Sequence, residues 1–445
     1  MTKTYVLVDP AHDYAVRFAA AIAARHGYQP FCVLTERTTE GELRRFPALR
    51  HWRQARVRSE ELEAFGRRLA ATSEVLGAIP FNESVLSPVV SLLRGVGSIW
   101  NEPSVLALLR DKFALKQKLR EMRPALGIGF SRVLAFDTAK SLLRDGNVPE
   151  RFVLKPNQGF GNRSVGFFTS KTPRSTVEEF IDSSDARDFV LEEYIPGPEF
   201  FINGQADHHG SCTAVAAFAY ERVWANGRQL DWLTWKVPHA SAEFGVLERY
   251  AQTVISALGL RRSPFHLEAK LVDGVPHMVE LGARLAGMGN AVLNNQLHGG
   301  KLNVFALAAD HYLHEGPQPP AELDWAAYDA DDLVYVHGVN FESGLIYSLE
   351  GLDSVERHPL FAGWVRKPLL GQRLTPTVDM FSVPWCFILR APAPHGRYVL
   401  RGAAEELRAR IRLNASPAPL RKAAIVTLDV LRRGGRRIER LLRVE

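Results

Sequence analysis

Cysteine is scarce in this chain. Its three cysteines, Cys32, Cys212 and Cys386, lie far apart among 445 residues and lack metal-ligand spacing. An odd, sparse set argues against a disulfide-stapled scaffold and fits a reducing compartment, so a cytoplasmic location is expected. Long apolar runs are missing as well. No stretch approaches the ~20 apolar residues that span a bilayer, and no membrane partner is expected. The first residues, MTKTYVLVDPAHDY, run straight into a strand-like segment and reach Asp9 early, unlike a secretory signal. Internal repeats and low-complexity tracts are absent. The first strand–helix turn has no G-x-G-x-x-G, which argues against a nicotinamide dinucleotide. There is no G-x-S-x-G elbow and no histidine–cysteine pairing at a suggestive spacing, so no catalytic nucleophile stands out.

What is present is ordinary globular material, 46% apolar and 23% charged, in a length that suggests about three domains. The net charge of +6 is concentrated late, in Arg421, Lys422, Arg432, Arg433, Arg436, Arg437, Arg440 and Arg443. Arg436, Arg440 and Arg443 share one helical face. A solvated basic helix is the expected reading. Without interleaved aromatics or a nucleic-acid motif, nucleic acid is not an expected partner.

The first hundred residues alternate strand and helix: TYVLVD (4–9), a helix over 14–27 ending at Gly27, QPFCVLTE (29–36), and a further strand within 74–83. That is the start of a βαβ sheet. Residues 101–129 predict a helix with Pro103 early and Pro124 and Gly127 at its close. A strand-rich unit covers 150–195. SPFHLEAKLVDGVPHMVELGARLAG (263–287) reads as two strands joined by Asp273-Gly274. Strands and turns rich in Gly and Pro resume near 325, ending in helices over 402–412 and 420–443.

Three stretches carry chemistry. In FVLKPNQGFGNRSVGFF (152–168), two short strands flank a loop containing Gly159, Gly161 and Ser164, with Lys155 at its entrance. Such loops expose backbone N–H groups to phosphate oxygens, and a lysine adds a compact charge. In the 263–287 hairpin, Glu268 and Glu280 stand on paired strands. Converging carboxylates repel unless neutralised, and hard divalent ions suit them. Arg284 follows with a planar cation suited to phosphate. VLEEYIPGPEF (190–200) runs from a strand through an acidic pair into a Pro-Gly-Pro turn, able to offer backbone groups to a purine and Glu199 to ribose hydroxyls. Each stretch also has a plainer reading: a mobile loop, a surface hairpin, a connector.

Their order is the informative part. Asp111-Lys112 opening a helix, VLKPNQGFGNRSVG, LEEYIPGPEF, HLEAK and VELGARLAG follow the succession of the ATP-grasp superfamily, which this chain resembles over about residues 100–310. The resemblance implies an α/β and α+β architecture, the ATP-grasp fold with an N-terminal Rossmann-like parallel-sheet domain and a C-terminal α+β extension. The expected divisions are 1–105 (N-terminal domain), 106–195 (helical linker and lid subdomain), 196–320 (catalytic subdomain with the metal site) and 321–445 (extension with the basic helical tail). It implies that Lys112 and Lys155 contact ATP phosphates beneath the Gly159–Ser164 loop. Glu192 and the backbone of Glu193, Tyr194 and Ile195 would meet adenine, and Glu199 the ribose. Glu268 and Glu280 would carry Mg²⁺ or Mn²⁺, and Arg284, with Lys155, would act in catalysis on the transferred phosphoryl group.

The segment ELGARLAG is similar to the version in L-amino acid ligases, the dipeptide synthetases. Many superfamily members carry Asn where Gly282 stands, which puts the third metal ligand in doubt. The implied activity is an ATP-dependent carboxylate–amine ligation through an acyl phosphate, with release of ADP and phosphate. Its partners would be a small-molecule carboxylate and an amine, in a possible homodimer. Glu83, Met288 and Asn290 are substrate-site candidates, Glu83 for an amino group. The alternatives are a carboxylase-type enzyme using carboxyphosphate, or a non-catalytic nucleotide- or nucleic-acid-binding protein.

Overall fold

Four parallel strands open the structure. Lys3–Val8 is central, with Gln29–Leu34 on one side and Glu74–Ala78 on the other, and Arg53–Arg56 continues beyond Gln29–Leu34. The helix Asp13–His26 ends where expected, because Gly27 adopts φ 69° and donates its N–H to the Ala23 carbonyl. The computed structural model describes residues 3–97, 101–126, 129, 133–135, 143, 145–186, 188–314, 316–318, 320–394 and 396–416. The basic tail helix expected over 420–443, and Gly127, lie outside the described residues.

The chain divides into two units, each assembled from separate stretches. The first takes in 1–139, 192–218 and 237–328; the second takes in 140–191, 219–236 and 329–445. In the first, the antiparallel strands Glu199–Ala206, Ser263–Val272 and Val275–Gly282 are packed by the helix Ala242–Leu258. The helix Val304–Leu313 is buried on every side and packs along Asp13–His26, with Phe305 edge-on to both Tyr14 and Phe18. This ties the parallel sheet to the carboxylate-bearing hairpin within one unit.

The second unit contains the antiparallel pair Arg151–Pro156 and Gly166–Thr169. It also holds a sheet ordered Arg228–Lys236, Asp331–His337, Cys386–Pro392, Phe361–Arg366, covered by the helix Gly396–Arg410. Trp235, Val336, Phe387 and Leu400 sit in that core, and Trp232 packs against it under the Arg408 guanidinium. Trp232 and Trp235 are therefore structural. Burial pushes the Arg408 guanidinium down to about 9.

Three expectations need correction. The helix expected over 101–129 is two helices, Pro103–Arg110 and Lys112–Leu126, because Asp111 is extended and caps the second by accepting from the Ala114 N–H at 2.8 Å. The strand expected within 74–83 takes up only Glu74–Ala78, and Asn82 then accepts the N–H groups of Ser84 and Val85 to start a short turn. The helix expected over 402–412 begins earlier, at Gly396, and ends at Arg410.

Candidate active site

In the first unit the site grows from the break at Asp111. Capping places Lys112 at the first helical position, and Lys116 one turn later lies on the same face. Both side chains are buried. Lys112 Nζ lies 3.9 Å from Glu280 Oε1, and Lys116 Nζ donates to Glu192 Oε2 at 2.7 Å. A third buried lysine, Lys270, donates to the Ile195 carbonyl at 3.2 Å, lies 3.6 Å from Glu199 Oε2 and stands over the Tyr194 ring. Three lysines thus answer three carboxylates. Glu192 and Glu199 are buried in their pairs and Glu193 is exposed. Such pairing is what desolvated charges require.

The hairpin sets Glu268 directly opposite Glu280, and a register shift follows at Ala269. Opposed residues of an antiparallel pair project from the same face with Cβ atoms about 5 Å apart. The two carboxylates are 19% and 28% exposed, open enough for a ligand. His266 fixes the first of them, with Nε2 3.1 Å from Glu268 Oε1 and Nδ1 2.8 Å from Asn203 Oδ1. Two accessible carboxylates side by side, each also beside a cationic or ring N–H group, fit a hard divalent ion.

Arg284 leaves the same strand end. Its Nε donates to Glu83 Oε2 at 3.1 Å, while Arg110 donates to Glu83 Oε1 at 3.1 Å and to the Glu83 carbonyl. Glu83 therefore orients the guanidinium from the parallel-sheet side. The glycine at 282 lies beside this pair. A Cβ there would stand 3.4 Å from Glu83 Oε2 and 3.5 Å from Arg284 atoms, at ordinary van der Waals contact. Two residues beyond Arg284, the Ala286 carbonyl accepts from the Tyr14 hydroxyl at 2.8 Å, and burial pushes that phenol up to about 12. Met288 takes φ 51° in the following turn, and Asn290 donates from Nδ2 to the Gly287 carbonyl, opening the helix Asn290–Leu297. Asn294 is buried, and its Oδ1 has no hydrogen-bond partner.

In the second unit, Lys155 is buried at the end of its strand. The loop beyond it is held in place. Gly161 (φ 71°), Asn162 (φ 62°) and Ser164 (φ 54°) turn it through the left-handed region. The Gly161 carbonyl accepts from the Met380 N–H at 3.2 Å, and Asn162 donates to the Gln229 carbonyl at 3.1 Å. Ser164 Oγ accepts from Ser184 Oγ at 2.8 Å. The Phe381 ring lies so close that a Cβ on Gly161 would meet it at 2.5 Å, and Phe160 packs edge-on to the same ring. Gly159 sits against Pro156.

Sequence reasoning named Lys112, Glu268, Glu280, Arg284 and Glu83, and all five stand in one unit. It passed over Lys116, Lys270, His266 and Arg110. For the two lysines a signal existed in DKFALK and HLEAK, where each falls at a spacing that shares a face with a named residue.

The ATP-grasp domain model matches residues 148–292. Dapdiamide A synthase of Enterobacter agglomerans is 26% identical over 195 residues, which are 42% of this chain and 45% of that protein, so the match spans less than half of the curated relative. The fold is similar to the L-amino acid ligase from Bacillus licheniformis, with TM-score 0.71 and 16% identity over 94% of this chain and 99% of that one. Phosphoribosylglycinamide synthetase from Anaerococcus prevotii follows, at 0.61 and 12% over 94% and 100%. The biotin carboxylase domain of Hydrogenobacter thermophilus 2-oxoglutarate carboxylase, solved with MgADP and bicarbonate, gives 0.60 and 15% over 92% and 90%.

Proposed function

Because the chain carries an ATP-grasp domain within an ATP-grasp fold, we propose that it is an ATP-dependent carboxylate–amine ligase of the amino acid ligase type. The observation that carries this reading is the set Glu268, Glu280 and Arg284, gathered with Lys112 at one strand end. Likeness to a dapdiamide synthase and to an L-amino acid ligase supports amide formation between amino acids or related small molecules.

A carboxylate resists attack by an amine at neutral pH, and phosphorylation by ATP gives it a good leaving group. Glu268 and Glu280 would hold magnesium, or manganese in its place, which neutralises phosphate charge when bound. Lys112 meets phosphate oxygens, and Arg284 holds the phosphoryl group being transferred, kept in orientation by Glu83. Lys155 and the Gly159–Ser164 loop bind phosphate and exclude the water that would hydrolyse an acyl phosphate. The backbone of Glu193–Ile195 receives adenine, beside Glu192; Lys116 keeps that carboxylate in place. Glu199 receives the ribose. Met288 and Asn290, with Glu83, border the substrates. The amine then attacks, giving the amide, ADP and phosphate. Cytoplasmic location and a homodimer complete the reading.

A screen of amino-acid pairs, read by phosphate release and product mass, tests it. Release should require both a carboxylate and an amine. Release with bicarbonate alone would move the protein to the carboxylase class, and ATP-independent retention on DNA would place it among nucleic-acid binders.

A further inference from the structure

Away from these residues, His26, Asp310 and His314 form a second cluster, in the first unit. His26 is the last residue of its helix. Asp310 lies in the final turn of Val304–Leu313, and His314 caps that helix four residues later, on the same side. One ligand atom from each lies within 4.8 Å of the others. His26 Nε2 donates to Asp310 Oδ1 at 2.7 Å, and the two imidazoles stand 4.8 Å apart between centroids. Asp310 is 4% exposed. His314 Nε2 is buried and meets no hydrogen-bond partner.

We propose that His26, Asp310 and His314 bind a transition-metal ion, Zn²⁺ being the best match. Two imidazoles and one carboxylate are a zinc donor set, with the fourth position left for water. The orphaned His314 nitrogen is what a hydrogen-bonded cluster leaves unexplained and a ligand accounts for. Ligation through Nε2 places the His26 ring proton on Nδ1 and exchanges the hydrogen bond to Asp310 Oδ1 for the metal. Arg25 faces the site with Nη2 2.9 Å from Asp310 Oδ2, the other carboxylate oxygen, and is nearly half exposed, so it does not occupy the ion's position. Arg262 donates to the His314 carbonyl rather than to its ring. The ion would join the last turns of two helices. The first of these carries Tyr14, bonded to the carbonyl two residues beyond Arg284.

The full-length protein, stripped with a chelator and held in excess Mg²⁺ to satisfy Glu268 and Glu280, is titrated with Zn²⁺ by calorimetry and with Co²⁺ by visible absorption. One equivalent should bind, with the intense bands of tetrahedral cobalt. His314→Ala and His26→Ala should each weaken binding at least tenfold, roughly the least that losing a ligand costs, and abolish the bands. Zn²⁺ should raise the melting temperature of the parent protein and leave that of His314→Ala unchanged, which separates lost binding from lost folding. No stoichiometric binding, or binding by both histidine variants as tight as by the parent protein, overturns the site.

Discussion

The charges around Glu280 and the loop around Gly161 are held by opposite means. In the first unit, buried lysines and partly buried arginines answer carboxylates at 2.7–3.9 Å, so position is set by charge that has little solvent to escape into. In the second, the glycine loop is fixed by hydrogen bonds through the Gly161 carbonyl and the Asn162 and Ser164 side chains, by an exposed arginine near Asp379, and by a phenylalanine ring that is half exposed. Removing one charge of a buried pair strands the other, whereas the loop's ion pair, Arg163 Nε 4.0 Å from Asp379 Oδ2, has an exposed arginine that water can take up. The first arrangement suits groups that must not move, the second a segment that gives way at small cost.

The sharpest break is at the hairpin. Glu280→Gln should cut ligation-dependent phosphate release by at least about a hundredfold, the scale of losing one preorganised electrostatic contact, with folding retained by circular dichroism. Undiminished turnover would remove Glu280 from the site. Next comes Lys116→Ala, expected to cost about 3–5 kcal/mol in urea unfolding because Glu192 is left buried and charged. Lys116→Met combined with Glu192→Leu should recover most of that loss. An equal cost in the double variant would show that packing, not charge, holds the pair.

Acid tests both regions together. Burial lowers His311, in the first unit, and His337, in the second, each to about 4. The unfolded chain takes up protons near pH 6.5 while these rings stay neutral in the fold, so their stabilisation is present above about 6.5 and drains as pH falls toward 4. The urea midpoint should be flat above neutrality and fall by pH 5, and His337→Gln should flatten that slope. Smallest is Gly161→Ala. A left-handed alanine costs about 1–2 kcal/mol locally, and Phe381 can swing away. A severalfold rise in KM for ATP with kcat near normal is expected, and an unchanged KM would separate the loop from the nucleotide.

How much of this the chain spelled out depends on distance along it. The parallel strands and the Asp273-Gly274 hairpin announce themselves locally, and the hairpin alone sets Glu268 against Glu280. Asp111 was legible as the residue before a helix. The stop it imposes on the preceding helix was not, because both flanks have helical periodicity. The Glu83–Arg284 pair spans 201 residues, and only the fold brings Gly282 beside it. The contacts of the glycine loop with Met380 and Phe381 have no local signature at all.

Those contacts also set an order of events during synthesis. Domains fold as they emerge, N-terminal parts first. By the time residue 330 is made, both hairpin glutamates, Arg284 and all three paired lysines exist and can find their partners. The loop at 159–164 has waited since early in translation, and its clasp, Asp379–Ser382, is still some fifty residues from being made. The nascent chain would pair the charged groups of the first unit first and fasten the glycine loop of the second among its last acts.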